Sequence, residues 1–170
     1  PIDNTGLGLH LDATESDNFV MNEENKVSKW KLSNGVSERS AEQPVQNFMP
    51  VYNPVIMNGM PGVEFNNNFM KVLPEISSYT DLCIAVVYQA FSPGNCHPDW
   101  VHGSGIIDNY VENQTNSFGL SINRENEIVT RIGSESSQAL TSMKKSHIVI
   151  MNRDVNQGKM SLYQDGINIG

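Results

Sequence analysis

The stretch Leu82-Cys83-Ile84-Ala85-Val86-Val87-Tyr88 decides how this chain reads. It carries no charged side chain, and the β-branched Ile84, Val86 and Val87 lose χ1 freedom in a helix but pack well on a pleated surface. A near-continuous apolar run of this length predicts a central β-strand covered on both faces. Cys83, inside the run, is expected to behave as a small buried hydrophobe.

Working outward, short strands recur and helical periodicity does not. Towards the C-terminus, strands are predicted at Gly105–Ile107, Phe118–Ile122, Ile128–Ile132, His147–Met151 and Lys159–Tyr163. Turn residues separate them at intervals of about ten residues, the pattern of a sandwich or barrel. Asp165-Gly166 after Tyr163 fits a two-residue hairpin turn, with a partner strand starting at Ile167. His10 and His147 fall in predicted strands and are read as structural histidines.

Towards the N-terminus, Leu7, Leu9 and Leu11 alternate over one short strand, and Val27 and Trp30 anchor another over residues 27–32. Val63 and Phe65 follow the turn Asn58-Gly59-Met60-Pro61. Asn66-Asn67-Asn68 is expected to fold them back on Phe69, Met70, Val72 and Leu73 as a hairpin, since Asn tolerates left-handed backbone. Residues 12–26 are polar and acidic, and residues 33–61 hold four prolines, so both are read as long irregular connections.

Composition narrows the function classes. The chain has 170 residues, a formal charge of −8 and 38% hydrophobic residues, with a pI near 4.8. That fits one all-β domain over residues 1–170. The acidity, and the lack of a basic cluster beyond Lys144-Lys145, argues against nucleic acid and anionic membranes as partners. No apolar run approaches the roughly 20 residues of a bilayer span, so no membrane insertion is expected. A bridge between Cys83 and Cys96 is not expected, because their contexts differ in burial. Asn113-Gln114-Thr115 matches a glycosylation acceptor, a tripeptide that also arises by chance.

The loop from Ser92 to Ser104 holds the tightest cluster of versatile groups: Asn95, Cys96, His97, Asp99, Trp100 and His102. Trp100 can stack on a sugar ring while Asn95, His97 and Asp99 hydrogen-bond hydroxyls, with His102 close by in the sequence. The ligand-binding set is therefore Asn95, His97, Asp99, Trp100 and His102. Cys96 and His97 are adjacent and lack the spacing of a metal site, so no metal is assigned there. The blander reading has Trp100 packing back onto the sandwich edge. Catalysis has less to stand on. Glycoside cleavage needs two carboxylates flanking one bond, whereas Glu125-Asn126-Glu127 reads as a solvated turn and Glu64 has no paired partner. Ser104 lacks the strand-to-helix elbow of a hydrolase serine. Calcium is the one cofactor with a case, from the oxygen-rich segments Asp12–Asp17 and Asn152–Asn156, and neither has EF-hand spacing. No catalytic residue and no cofactor is assigned.

The order of motifs carries a resemblance. Leu9-His10-Leu11-Asp12-Ala13, Val27-Ser28-Lys29-Trp30, Gln43-Pro44 and Asn58-Gly59-Met60-Pro61-Gly62-Val63-Glu64-Phe65 come first. Gly105-Ile106-Ile107-Asp108, Asn116-Ser117-Phe118-Gly119-Leu120, His147-Ile148-Val149 and Leu162-Tyr163-Gln164-Asp165-Gly166 follow. This series resembles the laminin G-like, concanavalin A-like jelly-roll domains of phage virion proteins, bacterial surface proteins and carbohydrate-active enzymes. The resemblance implies a two-sheet antiparallel β-sandwich with Trp30, Phe65 and Val86 in its core. It also implies two or three more strands after the Asp165-Gly166 corner. Those C-terminal strands are missing here and are expected from the parent polypeptide, another chain or another subunit. The implied function is a non-catalytic binding or structural module on a virion or cell surface, with glycans and other protein chains as partners. The alternatives are a jelly-roll glycoside hydrolase or lyase, and a purely structural assembly domain completed by a partner chain.

Overall fold

A computed structural model describes residues 8–33, 39–73, 81–94, 104–109, 118–132, 135–154, 156 and 159–170. Among them the structure is all-β, and its helical elements are two single 3-10 turns, Ser16–Asn18 and Gln46–Phe48. The strands are β1 (Phe19–Met21), β2 (Val27–Lys31), β3 (Ser40–Glu42), β4 (Val51–Met57), β5 (Met60–Glu64), β6 (Lys71–Leu73) and β7 (Leu82–Gln89). They continue with β8 (Ser104–Asp108), β9 (Phe118–Ile122), β10 (Glu127–Ile132), β11 (Glu135–Leu140), β12 (Ser146–Asp154), β13 (Lys159–Gln164) and β14 (Ile167–Asn168). Every pairing is antiparallel, and the chain divides into two compact units, Pro1–Ser77 and Ser78–Gly170.

The second unit holds two four-stranded sheets, ordered β11-β10-β9-β8 and β14-β13-β12-β7. Both contribute to one core: Phe118, Leu120, Ile122 and Ile128 from the first, Tyr88, Val149, Met151 and Leu162 from the second. The Thr130 hydroxyl, which also donates to the Gly119 carbonyl, contacts Met151 sulfur and so joins the two sheets. This sharing of one core is sandwich-like. It arises from period-two patterning, clearest on β12, where His147, Val149 and Met151 are buried while Ile148, Ile150 and Asn152 are exposed. Asp165 (φ 53°) and Gly166 (φ 82°) make the predicted two-residue hairpin, pairing Gln164 with Ile167. Two left-handed residues in sequence are what that turn demands.

The first unit holds a sheet ordered β1-β2-β3-β6 and a separate β4-β5 hairpin. Asn58 (φ 52°) and Gly59 (φ 82°) turn the hairpin, and an isolated Lys26–Val51 bridge links it to the start of β2. Phe19 and Trp30 are cross-strand partners with ring centroids 5.0 Å apart, and Tyr52 from β4 lies 4.8 Å from Phe19. Val27, Leu32, Ala41 and Pro50 are buried as well.

Several expectations need correction. Residues 8–12 form no strand, although the His10 carbonyl accepts a bond from Ser33; Leu7 lies outside the described residues. The segment 12–26 contains β1, and 33–61 contains β3 and β4, the latter accommodating Pro54 where its register with β5 shifts. The expected hairpin over residues 63–73 does not form: the 66–68 turn exists, with Asn67 at φ 55°, but β5 pairs back to β4 while β6 pairs to β3.

Among the described residues the apolar run at 82–88 is not a central strand: β7 is the last strand of its sheet, and Cys83, Ala85 and Val87 on one face are exposed. Cys83 is accordingly a free, exposed thiol and no buried hydrophobe. Among the described strands, β9, Phe-Gly-Leu-Ser-Ile, is buried along its whole length. Of the three residues assigned to the core, Trp30 and Val86 are half-buried and Phe65, just past β5, is 54% exposed.

Candidate binding surfaces

The predicted ligand residues Asn95, His97, Asp99, Trp100 and His102, with Cys96 and the acceptor Asn113, lie outside the described residues. The stems of that loop are described, and both meet β9. Gly94 donates its N–H to the Asn123 carbonyl at 3.1 Å, and its backbone passes so close to the Ile122 carbonyl that a Cβ would collide with it. Ser104, where the chain returns, is the register partner of the same Ile122. Beside them, buried Asn123 holds the β9–β10 turn: its side-chain oxygen accepts from the N–H groups of Glu125 and Glu127, and its amide donates to Glu127 Oε2 at 2.8 Å. Asn126 takes the left-handed position there, at φ 62°.

The clearest surface feature is the outer face of β7, β12 and β13. Register sets Val87 beside Ile148, and Ala85 beside Ile150 and then Tyr163. Val87 is 59% exposed and Ile148 52%. A two-layer sandwich normally turns polar side chains to water on this side, and here aliphatic residues occupy adjacent rows.

A smaller apolar surface lies in the first unit. Phe48 and Phe69 are exposed with ring centroids 5.6 Å apart. Buried Gln43 holds their two segments together, donating to the Phe69 carbonyl at 3.0 Å and accepting from the Val45 N–H at 3.1 Å.

Beneath the edge of the second unit's sheet sits a polar clasp. His147 is buried, with Nδ1 2.7 Å from Asp165 Oδ2 and Nε2 3.0 Å from the Ser142 carbonyl. Both neighbours are hydrogen-bond acceptors, one facing each ring nitrogen. Tyr88 packs on His147 at 5.7 Å and shares a 2.7 Å hydrogen bond with Thr141. Burial is the main influence on the Tyr88 phenol and pushes its pKa up. The Asp165 carboxyl is held below its usual range, first by the Ile148 N–H and then by His147. A His–Asp pair is two-thirds of a hydrolytic triad, but here Nε2 is spent on a carbonyl and the ring is covered, so the pair staples the hairpin corner to β12.

The other acidic candidates are occupied locally. Glu125 is exposed and bonded to Arg124, and Glu64 accepts from Asn53 at 3.1 Å. Asp12 caps the N–H and hydroxyl of Thr14, while Asn152 to Asp154 belong to β12 and form no loop. Among the described residues no group of three or more His, Cys, Asp or Glu is placed to hold a metal ion.

Comparison of the chain with protein-family models, with curated proteins and with solved structures finds no match.

Proposed function

We propose that this chain is a non-catalytic binding and assembly module, displayed on the outside of a virion or cell and built on the concanavalin A-like jelly-roll plan. The observation that carries the reading is the uncovered aliphatic face of β7 and β12. Adjacent rows of exposed Val, Ile and Ala on a regular sheet are costly to leave in water, at about 25 cal/mol per Å² of apolar surface, and mark a place where something else docks. Its partners are other protein chains, with glycans as ligands of the loop at residues 95–102 that springs from Gly94 and returns at Ser104. The jelly-roll plan and the surface location rest on the motif order in the sequence. Residues 1–170 are one such domain in this reading.

Polysaccharide turnover tests the non-catalytic part. The protein is incubated with a panel of neutral and acidic polysaccharides, and new reducing ends and unsaturated uronate products are measured. Retention of polysaccharide without either product is the expected result. Accumulation of either product overturns the reading in favour of a jelly-roll hydrolase or lyase.

A further inference from the structure

We infer that the free edge of the second unit's apolar sheet is taken by a second copy of this chain, joined edge to edge through β7 in antiparallel pairing. The inference rests on the assembly reading above and names the occupant. Sheet edges invite pairing unless they are short, charged, bulged or interrupted by proline. Most described edges carry such a feature. β14 has two residues and β1 has three with a register shift. β6 has three and starts on Lys71, β8 shifts register between Gly105 and Ile107, and β4 and β5 contain Pro54 and Pro61. β11 opens Glu-Ser-Ser-Gln.

β7 has none of these. It runs eight residues, pairs with β12 in unbroken register along its whole length, and contains no proline and no Asp, Glu, Lys or Arg. Among the described residues no strand pairs with its other side.

The same strand solves an electrostatic problem. Copies with a formal charge of −8 repel one another, so they meet most easily through a segment that holds no charge. A two-fold axis at Ala85 sets Ala85 against its own copy and exposed Cys83 against Val87 of the second copy. Asp81, just before β7, then falls opposite the neutral Gln89 of the second copy and away from its own counterpart. Such an interface is isologous and closed, so it ends at a dimer. It joins two four-stranded sheets into one of eight and makes the rows Val87–Ile148 and Ala85–Ile150 continuous across the axis.

Sedimentation equilibrium of the chain over a range of concentrations tests this, with hydrogen exchange as a second readout. The expected result is a mass rising towards twice 18.9 kDa, with slowed exchange over residues 82–89 in the dimer. Ala85→Lys, whose side chain points to solvent, places two ammonium groups face to face and should return the protein to monomer with an unchanged circular dichroism spectrum. Val87→Lys serves if the first variant misfolds. A monomer at every concentration overturns the inference, whether residues 82–89 exchange freely or are covered by another segment of the same polypeptide. So does a dimer that survives both substitutions. These results leave the non-catalytic reading standing, since that is decided by polysaccharide turnover.

Discussion

Asp165 grips β12 with both of its carboxylate oxygens: Oδ2 meets His147 Nδ1 at 2.7 Å, and Oδ1 accepts the Ile148 N–H at 2.9 Å. One residue of the β13–β14 turn thus fixes the start of β12, the strand next to β13 in the sheet. His147 is buried while the Asp165 side chain is 47% exposed, so water moderates the charge on one end only.

The depressed Asp165 carboxyl gives a pH dependence with a definite sign. A carboxyl whose folded pKa is lowered contributes stability that is present above its unfolded value, near 3.9, and lost as pH falls through the lower folded value. Asp165→Asn should therefore be less stable than wild type at neutral pH by about 1 kcal/mol, a hydrogen-bond-sized effect. The two proteins should converge as the medium is acidified below the ordinary carboxylate range. Urea unfolding at a series of pH values checks this, and a constant difference down to the lowest pH would contradict it.

His147→Ala removes a ring that packs on Tyr88 and leaves Asp165 and the Ser142 carbonyl without their partner. Loss of packing and of two hydrogen bonds predicts a cost of about 2–4 kcal/mol. Urea midpoints measure it, and a variant within 0.5 kcal/mol or so of wild type would show the clasp to be idle.

Adjacent residues on β12 should respond in opposite ways. Met151 is fully buried in the shared core, so Met151→Ala should cost about 2–5 kcal/mol. Ile150 faces outward, so Ile150→Thr should stay within about 0.5 kcal/mol in the monomer. Thermal or denaturant unfolding of the two variants checks the alternation directly.

Two glycines separate backbone strain from steric exclusion. Gly166 adopts φ 82° with nothing near the position of an added Cβ, so Gly166→Ala should cost only the conformational term of about 1 kcal/mol. At Gly94 an added Cβ meets the backbone of Ile122 and Asn123, which cannot yield without disturbing the end of β9 and its hydrogen bond from Gly94. Gly94→Ala should be the more damaging of the pair, and denaturant unfolding ranks them.

Much of the second unit was readable from sequence because its signals are local. Alternation at 118–122, 128–132, 147–151 and 159–163 falls within observed strands, and Asp165-Gly166 specified its own turn. What escaped is non-local. The run at 82–88 looks the same to a sequence reader whether it is an inner strand or an edge, because strand order depends on partners far along the chain. Strand β11, Glu-Ser-Ser-Gln-Ala-Leu, offers no apolar alternation and exists through its pairing with β10. β4 was hidden by Pro54, and the 66–68 turn was found while the partners of its flanking strands were not. For the binding surface, exposed Val87 read as part of a strand covered on both faces because hydrophobicity alone does not report which side of a sheet is covered.

A docking surface on β7 and β12 requires that water reach their outer face in the single chain. Methyl NMR of dilute, monomeric protein with a soluble gadolinium chelate measures this residue by residue. Strong relaxation at Val87, Ile148 and Ile150, with protection at Val149, Leu162 and Ile128, is the predicted result. Protection of Val87 and Ile148 equal to that of Val149 would mean the face is already covered within one molecule, and the docking surface would fall.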